Sequence, residues 1–291
     1  MLVNILENLG WTKRIGWIAK PFSRLGRLKD ASGVSFIVSF GSPSSANAML
    51  MQLYRENKID KKEMYIASLA NTFPSALMHW RSMLPVLIPL LGLIGIVYFG
   101  IYILIGFLKT IAVLIVGRFI LKDNTKQFQT ENEKPGFVKM KSVDLLMKSV
   151  KQGWPLMRRV FFITIPVTIL VFYLVDLGVF EWLTTQIQGV TRFFPVPVEG
   201  LSISAAYFGH TVAAYTIAGN MLAAGVISAK NIILSMLLGQ VLSSVVSSFR
   251  HSAPYYIGIF GVKLGAELLF YSSCIHIVFT TIMFFCIYFF V

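Results

Sequence analysis

Two arginines, Arg81 and Arg250, each stand four residues before a proline, Pro85 and Pro254. A guanidinium grips a carboxylate or phosphate through two parallel N–H donors. A proline opening the next helix would bring the positive end of a helix dipole close by. Both arginines border long apolar runs. An ionisable side chain in such a place is costly and marks function, unless it closes a helix or snorkels to lipid headgroups. The pair points to an anion, with a cap or lipid anchor as the structural alternative.

Two short stretches interrupt hydrophobic sequence with small and polar residues. One is Gly41-Ser42-Pro43-Ser44-Ser45; the other is Gly209-His210-Thr211-Val212-Ala213. Pro43 removes a backbone donor, and small residues admit close approach. Broken helices of this kind build solute sites in transporters. Ser42, Ser44, Ser45, His210 and Thr211 are therefore candidate solute contacts, and His210 would titrate near neutral pH. Asn47, Asn71 and Gln240 add amides to the same apolar surroundings. Such groups often only tie helices together, but their concentration here favours a lined polar cavity. His79, His251 and His276 lack metal-ligand spacing, and methionines commonly fill gaps. Cys274 and Cys286 would lie about 18 Å apart along one helix, too far for a disulfide. No nucleophile triad or zinc motif occurs, so the residues indicate no enzyme, no metal site and no cofactor.

These residues recur in pairs. Phe40-Gly41 and Phe208-Gly209 open two stretches that close at Pro85 and Pro254, with Lys62 and Lys230, Asn71 and Gln240, Ser75 and Ser244 between them. The offset is 168 at the start and 169 at the end, which places one extra residue in the second copy near Ser235 to Gly239. A repeat inside hydrophobic sequence is the signature of a secondary-transporter architecture.

The composition agrees. Of 291 residues 56% are hydrophobic and 13% charged, against roughly 25% charged in a soluble domain. Residues 85–108, 160–175 and 268–291 carry no Asp, Glu, Lys or Arg, and each approaches the roughly 20 apolar residues that cross a bilayer. The net charge of +13 collects in residues 11–29 and 122–159. That matches the bias of cytoplasmic loops and not a nucleic-acid surface. The fold expected is an all-α polytopic membrane protein in the inner membrane of a prokaryote. Its repeats occupy 1–121 and 180–291, joined by a basic insert and one spanning helix at 122–179. Residues 1–29, 137–157 and 180–200 have the aromatic and basic composition of interfacial amphipathic helices. The runs at 85–121 and 254–291 are too long for one helix, with Gly92, Gly95 and Gly100 as the breaking points of the first. If each run crosses twice, an odd number of crossings separates the copies and they are inverted.

Two copies with a Phe-Gly opening, a small-residue break, a polar hairpin and an Arg-x-x-x-Pro resemble the nucleoside-recognition or Gate membrane proteins. That group includes the spore-maturation membrane proteins and is similar to the membrane part of the ferrous-iron transporter. The resemblance covers about 34–121 and 201–291. It implies movement of a small polar solute, anionic or nucleoside-like, through a cavity between the repeats. It also allows a non-transporting assembly or sensing protein, or divalent-metal transport. No Walker-type phosphate loop is present, and residues 40–85 and 208–254 hold no cysteine, both unlike the iron transporter. The partners implied are the bilayer, the solute, and either further copies or another membrane protein.

Overall fold

A computed structural model describes residues 20–121 and 195–290, with residues 162, 165, 166, 169, 173 and 177. The expectations for 1–19, for most of 122–179 including its spanning helix, and for 180–194 lie outside the described residues. No strand occurs among the described residues.

A helical turn at 20–26 leads into α1 (Asp30–Ser39), α2 (Pro43–Arg55), α3 (Lys61–Ala70), α4 (Thr72–Met78), α5 (Trp80–Leu91) and α6 (Leu93–Ile120). After the insert come α7 (Val198–Gly209), α8 (Thr211–Ala223) and α9 (Ala229–Ser247), a π turn (Ser248–Ser252), α10 (Ala253–Phe260) and α11 (Val262–Phe290). Among the described residues, three stretches are long and apolar enough to cross a membrane: α6, Ala229–Phe260 and α11. The 28 residues of α6 reach about 42 Å, against a hydrocarbon core of about 30 Å. The chain is an all-helical integral membrane protein.

Three helix starts have a local cause. Pro43 at the first position of α2 needs no N–H partner, and Ser42 Oγ accepts from Ser45 N at 3.2 Å. At α8 His210 Nδ1 accepts from Val212 N, and at α9 Ser228 Oγ accepts from Asn231 N. The long apolar runs break at Gly92 (φ 56°) and Gly261 (φ 84°). Glycine enters such positive-φ backbone without a Cβ penalty. The helix continues unbroken through Gly95 and Gly100. The segments before the breaks are short. The 12 residues of α5 and the 8 of α10 reach about 18 and 12 Å. Neither crosses the core alone, so the length argument for two full crossings per run is not met.

The element order recurs along the chain. The N-cap pairs Lys29 and Pro197, Ser42 and His210, Asp60 and Ser228 are all 168 apart. Gly92 and Gly261 are 169 apart. Across Ser235 to Gly239, where the sequence offset puts the extra residue, α9 is regular. The π turn at Ser248–Ser252 is where the ladder widens, and a widened turn admits one added residue without breaking a helix. That register sets Gly239, not Gln240, at the position of Asn71.

The chain divides into two compact units. One comprises Met1–Met78, Lys109–Ile163 and Ile257–Gly265; the other His79–Leu108, Thr164–Tyr256 and Ala266–Val291. In the first unit Phe22 stacks on Phe36 at 4.3 Å, so the end of the basic N-terminal segment packs onto α1. A Cβ on Gly117 would stand 2.7 Å from Ile66 and 3.1 Å from the Gly26 carbonyl, so small residues bring α6 close to α3. Glu63 accepts from Lys29 N at 2.8 Å and Ser32 Oγ at 2.7 Å. A carboxylate on α3 thus serves the orphan donors at the start of α1. In the second unit α7 lies against both α8 and α9, and α5 packs on α8. Gly219 brings α8 onto the Leu90 carbonyl, and Gly239 lies under Tyr207 and Ser204.

Candidate functional site

In the first unit α1, α2 and α3 bring a set of polar groups into a buried cluster. Asn47 Oδ1 accepts from Ser68 Oγ at 3.0 Å and from Asn71 Nδ2 at 3.5 Å. Asn71 Nδ2 also reaches Ser35 Oγ at 3.5 Å, and Ser35 donates to the Ser32 carbonyl. Asn71 Oδ1 is buried with no hydrogen-bond partner. The cluster sits at a helix break, because Asn71 ends α3 before α4 begins. Thr110 on α6 bridges that break: its Oγ1 donates to the Ala70 carbonyl at 2.8 Å and accepts from Phe73 N at 3.2 Å. The break is thus held by side-chain bonds in place of the missing ladder.

Asn47 and Asn71 are thereby brought together, while the serines before them have a different place. Ser42 is half-buried and caps α2, Ser45 supplies the capped N–H, and Ser44 is exposed.

In the second unit the break between α7 and α8 brings together Arg250, His210 and His251. Arg250, in the π turn, donates from Nη1 to the Gly209 carbonyl at 3.0 Å and to the Phe208 carbonyl at 3.4 Å. It closes the C-terminal end of α7, where a cation also meets the negative end of the dipole. His210 then caps α8. Arg250 and His210 lie close to His251. Thr211 is exposed in the first turn of α8. Gln240 is half-buried on α9, and its Oε1 is buried without a hydrogen-bond partner. Arg81 differs from Arg250. It is exposed in the first turn of α5, with its guanidinium 5.8 Å from the centre of the Trp80 ring. That arrangement has the character of an interfacial anchor.

Sequence reasoning missed Lys109. It reads there as a residue near a helix end, able to snorkel with Arg118. In the structure Lys109 is 6% exposed and eleven residues before the end of α6, about 16 Å inside it. Only Arg118 is near the end, and it is exposed. The signal available was the distance from Lys109 to either flank of its apolar run. Also missed was a buried tyrosine set. The hydroxyls of Tyr98 and Tyr207 lie 2.7 Å apart, and the Tyr215 ring centre is 6.1 and 6.0 Å from theirs.

The two copies place opposite chemistry at matching positions. Ser35, Ser39, Asn47 and Ser68 correspond, 168 residues on, to Ile203, Tyr207, Tyr215 and Met236. All eight are buried. At these four positions the first copy is polar where the second is aliphatic or aromatic; at Phe36 and Ser204, and at Ala67 and Ser235, the order is reversed.

The family described as Gate, nucleoside recognition, matches residues 1–93. Three uncharacterized proteins of Methanocaldococcus jannaschii are similar along most of their length. MJ1556 is 34% identical over 270 residues, covering 93% of this chain and 85% of its own. MJ0871 is 27% identical over 275 residues, covering 94% and 85%, and MJ0880 is 25% identical over 271, covering 92% and 86%. No solved structure matches the chain. With its all-helical fold, its apolar spanning helices and these relatives, the chain belongs to the Gate family of membrane proteins.

Proposed function

We propose that this protein moves a small polar, anionic solute across its membrane. The observation that carries the reading is the break between α7 and α8. There Arg250 fastens one helix end, His210 caps the other, and His251 lies in the field of both. Irregular backbone in a membrane protein is tolerated where it is buried in protein or lines a water-filled path. A helix N-terminus with a guanidinium beside it favours an anion. The relatives being archaeal supports a prokaryotic plasma membrane as the location.

The test is flux in liposomes holding the purified full chain, over a panel of small organic anions, phosphate, nucleosides and divalent metals. Uptake of anions above the other classes is expected. Absence of flux for every class would refute transport and favour a membrane assembly or sensing role. Within the same assay Arg250→Lys should weaken anion affinity, because an ammonium cannot copy the guanidinium geometry. Arg81→Lys should leave affinity unchanged, since an exposed anchor needs only charge and reach.

A further inference from the structure

Lys109 is a buried ionisable group that the break between α7 and α8 does not use. It lies too deep in α6 for its four-carbon stem to carry the charge past the helix end. Among the described residues, no hydrogen bond or carboxylate reaches its ammonium. A charge in this position is costly and is kept only for a reason.

Its surroundings indicate the reason. Lys109 shares the buried stripe of α6 with Ile105, Val113 and Gly117, and sits beside Thr110. Gly117 abuts Ile66 of α3, and Thr110 binds Ala70 and Phe73 on either side of Asn71. The stripe therefore meets α3 where that helix breaks. At this junction Asn71 Oδ1 is a buried acceptor with no donor, and the Lys109 ammonium, which has donors only, has no hydrogen bond from the described residues.

The fold does not require that polarity. The second copy packs the corresponding backbone with Ile203, Tyr207, Tyr215 and Met236 in place of Ser35, Ser39, Asn47 and Ser68. It carries Val278 and Phe279, 169 residues on, in place of Lys109 and Thr110. At these positions the second copy closes with apolar or aromatic side chains, so packing alone does not demand the polar set found there in the first copy.

We propose that the first unit holds a binding site for a small oxyanion that carries its own O–H or N–H donor. Lys109 takes the anionic oxygen, and the donor satisfies Asn71 Oδ1. Protonated phosphate and hydroxycarboxylates have this pair of groups; acetate has the charge without the donor. The site stands independently of transport, because an anion that binds without passing would make the same contacts.

The experiment uses the purified full chain in phosphatidylcholine vesicles. It measures equilibrium binding of radiolabelled phosphate and glycolate, competition by acetate, and flux in the same vesicles. Binding of glycolate at least 10-fold tighter than acetate is expected. Lys109→Met should lose at least 10-fold in affinity and yet unfold at a higher temperature, because it removes an uncompensated buried charge. Lys109→Arg should keep part of the affinity. If phosphatidylglycerol in the vesicles competes, and Lys109→Met abolishes the competition, a lipid phosphate occupies the same site. Unchanged affinity in Lys109→Met, a lowered unfolding temperature for it, or no binding of any probe by the wild type would each overturn the proposal. Lost binding in the variant without flux in either protein would keep the site and refute transport. Intact anion flux and binding in the variant would do the reverse.

Discussion

Replacing Arg250 by Gln tests whether the end of α7 is held from the π turn. Gln keeps an N–H donor of shorter reach but no charge. In the structure one guanidinium nitrogen serves the Gly209 carbonyl at 3.0 Å and the Phe208 carbonyl at 3.4 Å. A hydrogen bond from a charged donor contributes about 1.5–3 kcal/mol, a neutral one about 0.5–1.5. The cation at the helix C-terminus adds about 0.3–1 kcal/mol. The change should therefore lower the local opening free energy by about 1.5–2.5 kcal/mol. At 1.36 kcal/mol per factor of ten, that is about a 10- to 70-fold rise in exchange of the amides that close this end. The amide to watch is His210, whose N–H bonds the Ala206 carbonyl at 3.0 Å. Hydrogen exchange of the reconstituted protein, read by mass spectrometry over peptides spanning 203–212, measures it. Peptides of the first unit serve as the internal control. Exchange in 203–212 that rises less than about 3-fold, with the control also unchanged, would refute the idea that Arg250 fastens this break. Arg250→Lys should fall between, because it retains the charge but offers a single point donor.

Other outcomes follow from the same geometry. Burial lifts the Glu63 carboxyl above its ordinary range, against the bonds from Lys29 and Ser32 that pull it down. Its protonated form is favoured in the folded chain, so its contribution is full below the ordinary glutamate range and is lost as pH rises through the raised value. The difference in stability between wild type and Glu63→Gln, from unfolding in detergent at pH 4.5 and 7.5, should therefore shift toward the variant at the higher pH; no shift would refute it. Tyr98→Phe removes the 2.7 Å contact with Tyr207 and should cost about 1–3 kcal/mol in the same assay, while a neutral result would mean that the Tyr207 hydroxyl finds another partner. Single cysteines at Lys139 and Val291, labelled in intact cells, should react from opposite sides if the copies are inverted, with Lys139 inside; labelling from the same side would remove the inverted arrangement.

The elements were legible where local chemistry decides them. Ser42-Pro43 writes a helix start into the sequence, and Gly92 marks a stop that only glycine accepts without strain. The long apolar runs announce the spanning helices because a bilayer demands them. Other features depend on what stands opposite. Arg81 and Arg250 share a motif, yet one lies over Trp80 and the other reaches back 41 residues to a carbonyl. Nothing within Arg-x-x-x-Pro distinguishes the two. The π turn was illegible for a related reason. Residue spacing counts an insertion but does not say which turn of a helix absorbs it.

The misreading of Lys109 has a physical source that also says where function belongs in a repeated chain. Hydropathy averages over a window, and one lysine in an apolar run reads as a residue on its way to an end. The comparison between copies is the sharper instrument, because it holds backbone constant and lets chemistry vary. Equal positions that keep glycine, as Gly92 and Gly261 do, report what the fold needs. Positions that change from Ser35, Asn47 and Lys109 to Ile203, Tyr215 and Val278 report what the fold can do without. Buried hydrogen bonds add only about 1 kcal/mol each to stability, while an unmet buried polar group costs more than that. A polar cluster with an unmet acceptor is therefore a net burden at these positions of the first copy, as the unmet Gln240 Oε1 is in the second. Selection keeps such a burden where a ligand relieves it. On that argument the two copies divide the work. The first carries a buried polar cluster around Asn47 and Asn71, and the second an aromatic body and a helix break fastened by Arg250.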